Sequence, residues 1–345
     1  MQYKQLGDTG LFVSRLCLGA MTFGTSNVEP WSAIGTLGQK EAGALVDRAL
    51  DAGVNFFDTA NVYSIGESEK ILGKALASRR DDVVIATKAN GRMGAGANEL
   101  GQSRYHLAKS IDESLARLGT DRIDLFQVHS WDPVTPLEES LSALDDAVRA
   151  GKVRYIGCSN FAAWQIAKGL GISEARGLEK YVSTQSYYSI AGRDLEHEIV
   201  PLVRDAKLGV LVWSPLAGGF LSGKFTRDGE GEEGARRASF DFPPVDKDFA
   251  YDIIDVMAEI ASAKGITVPQ VALAWLLAKP AVTSVIIGAK RVDQLDDNLG
   301  AVDVELTSAE LERLDDVSAR PLPYPNWMMQ RQGATRIPEN GHLTD

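Results

Sequence analysis

Cysteine is nearly absent: Cys17 and Cys158 are the only two in 345 residues. They stand far apart, with no CxxC pair and no His/Cys cluster. That excludes a disulfide framework and a zinc-type site, so no metal is expected. Two reduced, buried thiols in a reducing compartment are the expectation. Basic residues are outnumbered, with 36 Lys and Arg against 47 Asp and Glu and a net charge of -11. Such a surface repels a phosphate backbone, so no nucleic-acid partner is expected, and a small anionic ligand needs a local basic site. No apolar run reaches the ~20 residues of a membrane span, so no membrane partner is expected. The opening residues, MQYKQLGDTGLFVSRLCLGA, lack a basic stretch followed by an apolar one. A cytoplasmic location is the expectation. No self-similarity with a period of about 20–50 residues appears. A glycine fingerprint for dinucleotides is missing too. Gly94, Gly96 and Gly101 are mis-spaced for G-x-G-x-x-G and lie between no strand and helix, so they read as a loop.

What is present is a rhythm of short apolar runs alternating with capped, periodic segments. The strand candidates are Leu16–Leu18, Asn55–Phe57, Val83–Thr87, Ile123–Val128, Val153–Gly157, Val182–Gln185, Val210–Trp213 and Ser284–Ile287. Their unbroken apolar character fits parallel strands covered on both faces. Between them, Ser64 to Glu67 reads as a capping box ahead of Ile71, Leu72, Ala75 and Leu76. Leu107, Ile111, Leu115 and Leu118 share a helical face begun near Ser103. Pro136 reads as the first residue of the next helix, and Thr267–Gln270 opens a later one. Eight strands alternating with helices suit a closed (β/α)₈ TIM barrel of the α/β class, in a single domain. The runner-up is a Rossmann domain with a second domain. Domain limits of 1–325 for the barrel and 326–345 for an irregular C-terminal tail are expected. Long loops follow the first strand (Ser26–Gln39) and the seventh (Thr226–Asp246), and loops of that length are commonly lids.

Active sites of α/β barrels lie at the C-terminal ends of the strands. There the sequence puts Asp58 and Tyr63 (second strand), Lys88 (third), His129 (fourth), Ser159 and Asn160 (fifth), Gln185 (sixth), and Trp213 and Ser214 (seventh). Singly, Asp58 reads as a turn residue, Tyr63 as a wall aromatic, Lys88 as a surface charge and His129 as a satisfied buried imidazole. Four titratable side chains ringing one mouth read as a site.

The same residues carry a resemblance. GVNFFDTANVYSIGESEKILGKAL (Gly53–Leu76) resembles the first signature of the aldo-keto reductases, and VIATK (Val84–Lys88) and DRIDLFQVH (Asp121–His129) resemble two further segments. The likeness continues through Gly151–Phe161, Val182–Ser189, Val212–Phe225 and Ile286–Leu299, over about residues 1–325. It implies reversible reduction of an aldehyde or ketone carbonyl, with Asp58, Tyr63, Lys88 and His129 catalytic. A cofactor carries the hydride, and the oxygen needs a proton. Tyr63 is the expected donor, with a neighbouring Lys88 cation favouring its phenolate. Asp58 would hold Lys88, and His129 would orient the carbonyl.

For the cofactor, Trp213 offers a flat face to a nicotinamide, and the resemblance implies that Ser159, Asn160 and Gln185 bond its carboxamide. Gly19, Ala20, Met21, Asp58, Ser214, Pro215, Leu216 and Gly218 join the expected contacts, and Lys224 can meet a pyrophosphate. Gly288, Lys290 and Arg291 follow the eighth strand, where this fold binds phosphate. Two adjacent cations on an acidic chain favour NADP (NADPH) over NAD. Gln294 and Asn298 share a helix face towards the adenosine end, with Asp297 where the family usually has Glu; the family often has Ser at or near Lys290. Phe23, Trp31 and Trp131, with Tyr63 and His129, are the expected substrate wall, suited to a bulky or aromatic small-molecule carbonyl. A homo-oligomer is compatible with this reading. Two other classes compete. One is an NADPH-binding regulatory module with little turnover, similar to potassium-channel β subunits. The other is a two-carboxylate hydrolase, for which only Asp58 clearly ends a strand, with Asp132 a poor second.

Overall fold

Eight parallel strands close on themselves in the computed structural model, which describes residues 1–225, 227, 237 and 240–333. The barrel strands are β3 (Leu16–Gly19), β4 (Phe56–Asp58), β5 (Val84–Ala89), β6 (Ile123–Val128), β7 (Val153–Ser159), β8 (Tyr181–Tyr187), β9 (Gly209–Trp213) and β10 (Val282–Ile287). Each pairs with its neighbour in sequence, and β10 pairs back on β3. All eight expected strands are present, most of them lengthened by a residue or two at an end. The order is that of a (β/α)₈ barrel, with helices between successive strands.

Two-residue alternation decides what each strand offers to each side. Phe56, Val84, Ala86 and Leu125 point into the barrel, where they pack with Cys17, Val182 and Leu211. Phe57, Ile85 and Phe126 point outward into the larger core beneath the helices. The same alternation carries Asp58, Lys88 and Gln127 inward, one layer above that apolar plug.

A hairpin not foreseen from the sequence, β1 (Tyr3–Gln5) and β2 (Phe12–Ser14), closes the opposite mouth. Its Leu6 and Val13 extend the inner plug. Gly7 makes this contact feasible: its φ is +57°, and a Cβ there would lie 2.4 Å from the Val182 carbonyl oxygen.

The outer ring begins with α1 (Trp31–Ile34), α2 (Gln39–Asp51), α3 (Glu67–Leu76) and α4 (Arg104–Leu118). Ser103 caps α4 by accepting from the His106 amide, and Thr267 with Gln270 forms a capping box on helix Val268–Leu277, both as expected. The capping box expected at Ser64 is absent. Gly66 precedes α3 instead, and no side chain caps it. Ser64 is turned away because its buried side chain packs on the backbone at Gly24 and Gly35. Helix Leu137–Arg149 starts one residue later than read, with Pro136 as its N-cap. The expected loop Ser26–Gln39 contains α1 and the first residue of α2. Most of Thr226–Asp246 lies outside the described residues. The stretch expected to be an irregular tail carries a helix, Asn326–Gly333, whose first side chain donates to the His197 carbonyl oxygen at 2.8 Å. Residues 334–345 lie outside the described set.

Candidate active site

At the C-terminal mouth the inward layer ends in a buried ion pair. Lys88 Nζ donates to Asp58 Oδ1 at 2.5 Å and to the Thr59 carbonyl at 2.8 Å. Both side chains are almost wholly buried. Asp58 Oδ2 accepts from Gln185 Nε2 at 2.8 Å and Gln127 Nε2 at 3.3 Å, so both its oxygens are engaged. A buried charge is tolerable only when paired and hydrogen-bonded in this way. The third donor of Lys88 reaches Tyr63 Oη at 3.3 Å, and its ammonium stands 5.0 Å from the centre of that ring. Burial pulls the Lys88 pKa down, but Asp58 and Tyr63 outweigh it and raise the net value. Lys88 is therefore a cation at neutral pH.

His129 follows β6 and meets Tyr63 edge to face, with ring centroids 5.7 Å apart. Burial, then the Lys88 cation, push its pKa down to about 3. One side of the ring borders the open cavity, and the direction of the shift leaves the imidazole neutral at pH 7. Asn160 ties the next strand end to this one. Its Nδ2 donates to the His129 carbonyl at 2.9 Å, and its Oδ1 accepts from Trp213 Nε1 at 3.0 Å. Asn160 holds φ at +57° and Ser214 at +49°. Left-handed non-glycine residues cost about 1–3 kcal/mol each and persist where surrounding contacts hold them.

Above these residues lies a cavity of about 830 Å³, within the range of roughly 300–1,000 Å³ common for ligand sites. It runs from Tyr63, His129 and Trp31 past Trp213 to the loop and helix after β10. Gly19, Met21, Ser159, Asn160, Gln185, Ser214, Pro215, Leu216, Gly218, Lys224, Gly288, Lys290, Arg291, Gln294, Asp297 and Asn298 all border it. Asp58 reaches it, whereas Lys88 sits behind Asp58 and Tyr63 and acts on it only through them. Gln294 Oε1 accepts from the Lys290 amide at 3.0 Å, and Asn298 Nδ2 donates to the Gly288 carbonyl at 3.4 Å. Asp297 accepts from Thr267 Oγ1 at 3.0 Å, so it also fastens the neighbouring helix.

Three expected residues fall elsewhere. Phe23 is fully buried, because a bridge between Phe23 and Leu37 folds its loop back on the helix layer. Trp131 turns away from the cavity to pack on Phe161 and Trp164, with centroids 5.2 and 5.7 Å away. Ala20 is buried, its amide donating to the Asp58 carbonyl. Others were missed. Ile34 and Phe242 line the cavity, and Phe242 stacks on the Trp213 indole at 5.7 Å with planes 8° apart. Arg237, also lining, donates to the carbonyls of Ala217 and Pro243. The aromatic and proline run Phe240–Pro243 was the available signal for Phe242. Gln127 was missed as well, and its signal was alternation: it points inward beside Lys88, its Cα partner in the barrel.

The cavity fits an elongated dinucleotide on its own chemistry. Amide and hydroxyl groups stand at one end, an indole lies in the middle, and Lys224, Arg237, Lys290 and Arg291 border it on a chain of net charge -11. Gly288 has nothing within 4 Å of where a Cβ would be, so the wall there is bare backbone.

Comparison with known proteins agrees in extent with the barrel. An uncharacterized oxidoreductase of Bacillus subtilis, YrpG, is 40% identical over 332 residues, covering 93% of this chain and 97% of its own. Versiconal hemiacetal acetate reductase of Aspergillus parasiticus is 36% identical, over 92% of this chain and 96% of its own. A probable voltage-gated potassium channel subunit beta of Arabidopsis thaliana is also 36% identical, with the same coverage. The model of the aldo/keto reductase family matches residues 15–319, from the first barrel strand to beyond the last. This oxidoreductase barrel belongs to the aldo/keto reductase family.

Proposed function

We propose that this chain reduces aldehyde or ketone carbonyls to alcohols with NADPH, reversibly, and that Tyr63 donates the proton. One observation carries the reading: a buried Lys88 ammonium bridges the Asp58 carboxylate and the Tyr63 hydroxyl, 3.3 Å from the latter, at the cavity wall beside His129. A bound nicotinamide supplies the hydride. The chain's residues supply the rest. Asp58, fixed by three donors, keeps Lys88 charged and aimed. Lys88 stabilises the negative charge that Tyr63 Oη acquires as its proton passes to the substrate oxygen. A neutral His129 bonds the carbonyl without adding charge. Trp31, 5.4 Å from Tyr63, covers the phenol and limits water.

Ser159, Asn160, Gln185 and Trp213 suit the nicotinamide end, and Lys290 with Arg291 suits a ribose 2′-phosphate. Met21, Trp31 and Ile34 suit a bulky or aromatic carbonyl. Cys17 and Cys158 are buried and unpaired, consistent with a cytoplasmic setting. The likeness to plant channel subunits supports a second reading, a cofactor-binding regulatory module.

Turnover separates the two. With NADPH and benzaldehyde, wild-type protein is expected to oxidise the cofactor steadily, and Tyr63→Phe to lose about 10²–10⁴-fold in kcat. Tight NADPH binding with negligible wild-type turnover would favour the regulatory reading.

A further inference from the structure

The hydroxyl of Tyr63 meets Lys88, yet the two residues come from different parts of the chain: a turn before α3 and the strand β5. The turn is a demanding one. Ser64, Ile65 and Gly66 have φ of 46°, 52° and 87°, three left-handed residues in a row immediately after Tyr63. Outside the barrel, directly behind this turn, lies a second buried charge that the chemistry above does not use. Glu69, in the first turn of α3, is fully buried. Its Oε2 accepts from Arg117 Nε on α4 at 2.6 Å. Its Oε1 accepts from Thr87 Oγ1 at 2.5 Å. Thr87 is the residue before Lys88 and points outward as Lys88 points inward.

Arg117 also touches the turn itself. A Cβ on Gly66 would lie 2.6 Å from Arg117 Cδ and 3.0 Å from Nε, so the arginine stem lies flat on the Gly66 backbone. The guanidinium is held in that place from its other side. Nη2 donates to Ser114 Oγ at 3.2 Å, and Nη1 is 3.6 Å from the Glu113 carboxylate. One carboxylate thus ties together the helix that follows the Tyr63 turn, the arginine that presses on that turn, and the strand that carries Lys88.

The structure assigns Glu69 and Arg117 a positioning role: they hold Tyr63 Oη within reach of Lys88 Nζ by bracing the turn of one against the strand of the other. The inference rests on the proton-donor reading of Tyr63. Neither residue touches the cavity, so their removal changes the Tyr63–Lys88 geometry and leaves the cofactor contacts in place.

The test is kinetic, on the full chain with NADPH and benzaldehyde. Arg117→Gln is expected to lower kcat about tenfold or more while the Kd for NADPH stays within about twofold. Arg117→Lys, which keeps the charge for Glu69, is expected to recover most of that loss. In a Tyr63→Phe background, adding Arg117→Gln is expected to cost no more than about a further twofold, because residues acting through one group are non-additive. Thr87→Val keeps the ion pair but removes the link to β5. It is expected to lose about threefold or more in kcat with unchanged NADPH affinity, and it serves if Arg117→Gln does not fold. Wild-type kcat in Arg117→Gln or in Thr87→Val, with Tyr63→Phe inactive, overturns the brace alone. The same factor lost in both Tyr63 backgrounds also overturns it, since the loss would then be general. Full turnover by Tyr63→Phe overturns the proton-donor reading, and the brace with it.

Discussion

His129 is where burial and charge act together on a single residue. Its folded pKa of about 3 lies below the ~6.5 of an unfolded histidine. Between those values the unfolded chain takes up a proton that the folded chain refuses, so stability rises with pH across that window. The contribution is unfavourable in acid and vanishes above about pH 6.5. His106, whose pKa burial also lowers, acts in the same direction. His129→Gln is therefore expected to lose less stability than wild type between about pH 6.5 and pH 4. Urea unfolding at a series of pH values measures it, and equal acid slopes would contradict the half-buried, neutral imidazole. At this scale the sequence was readable where side-chain direction follows from strand alternation. Asp58, Lys88 and His129 end strands, and the structure brings them together with Tyr63. Phe23 and Trp131 show where such reading stops. Both sit on loops at the mouth, but a loop side chain can turn towards the helix layer as easily as towards the cavity, and each found apolar partners there. Gln127 was missed for the opposite reason, its identity being unremarkable until its inward direction was counted.

The loop and helix after β10 form the element on which cofactor choice depends. Lys290 and Arg291 lead into helix Val292–Gly300, where Gln294 folds back on the Lys290 amide and Arg291 pairs with Asp293. A phosphate there would gain charge-assisted hydrogen bonds worth about 1.5–3 kcal/mol each. Lys290→Ala is expected to weaken NADPH binding by about 10–100-fold and to leave NADH nearly unchanged. Equal weakening of both would place Lys290 away from the 2′-phosphate. Elements differed in how readily the sequence showed them. Most barrel strands were plain because strands covered on both faces read as near-continuous apolar runs, as in β3 and β9, although β8 carries four polar residues in a row. The hairpin β1–β2 was missed because its strands have only 3 residues each and lie outside the alternation of strand and helix that marked the others. The Ser64–Glu67 capping box was a pattern without its geometry, since the left-handed turn after Tyr63 directs Ser64 elsewhere. The helix Asn326–Gly333 follows Pro323 and Pro325, which read as irregular chain.

The whole molecule sets an acidic exterior around a basic-rimmed cavity. Net charge is -11, yet Lys224, Arg237, Lys290 and Arg291 all border one mouth. Such an arrangement concentrates a small polyanion at a site that a nucleic-acid backbone would avoid. The hairpin plugs the far mouth, the inner apolar layer fills the barrel, and the polar groups gather at one end. This open, polar end of the barrel, and no single side chain, therefore makes a dinucleotide the expected ligand. The most direct measurement is a titration of intrinsic tryptophan fluorescence with NADPH and, in parallel, NADH. Trp31 and Trp213 both line the cavity, so occupancy must change their emission. Strong quenching by NADPH, with clearly weaker binding of NADH, is the predicted result. Folded protein that binds neither cofactor would contradict the account at its centre.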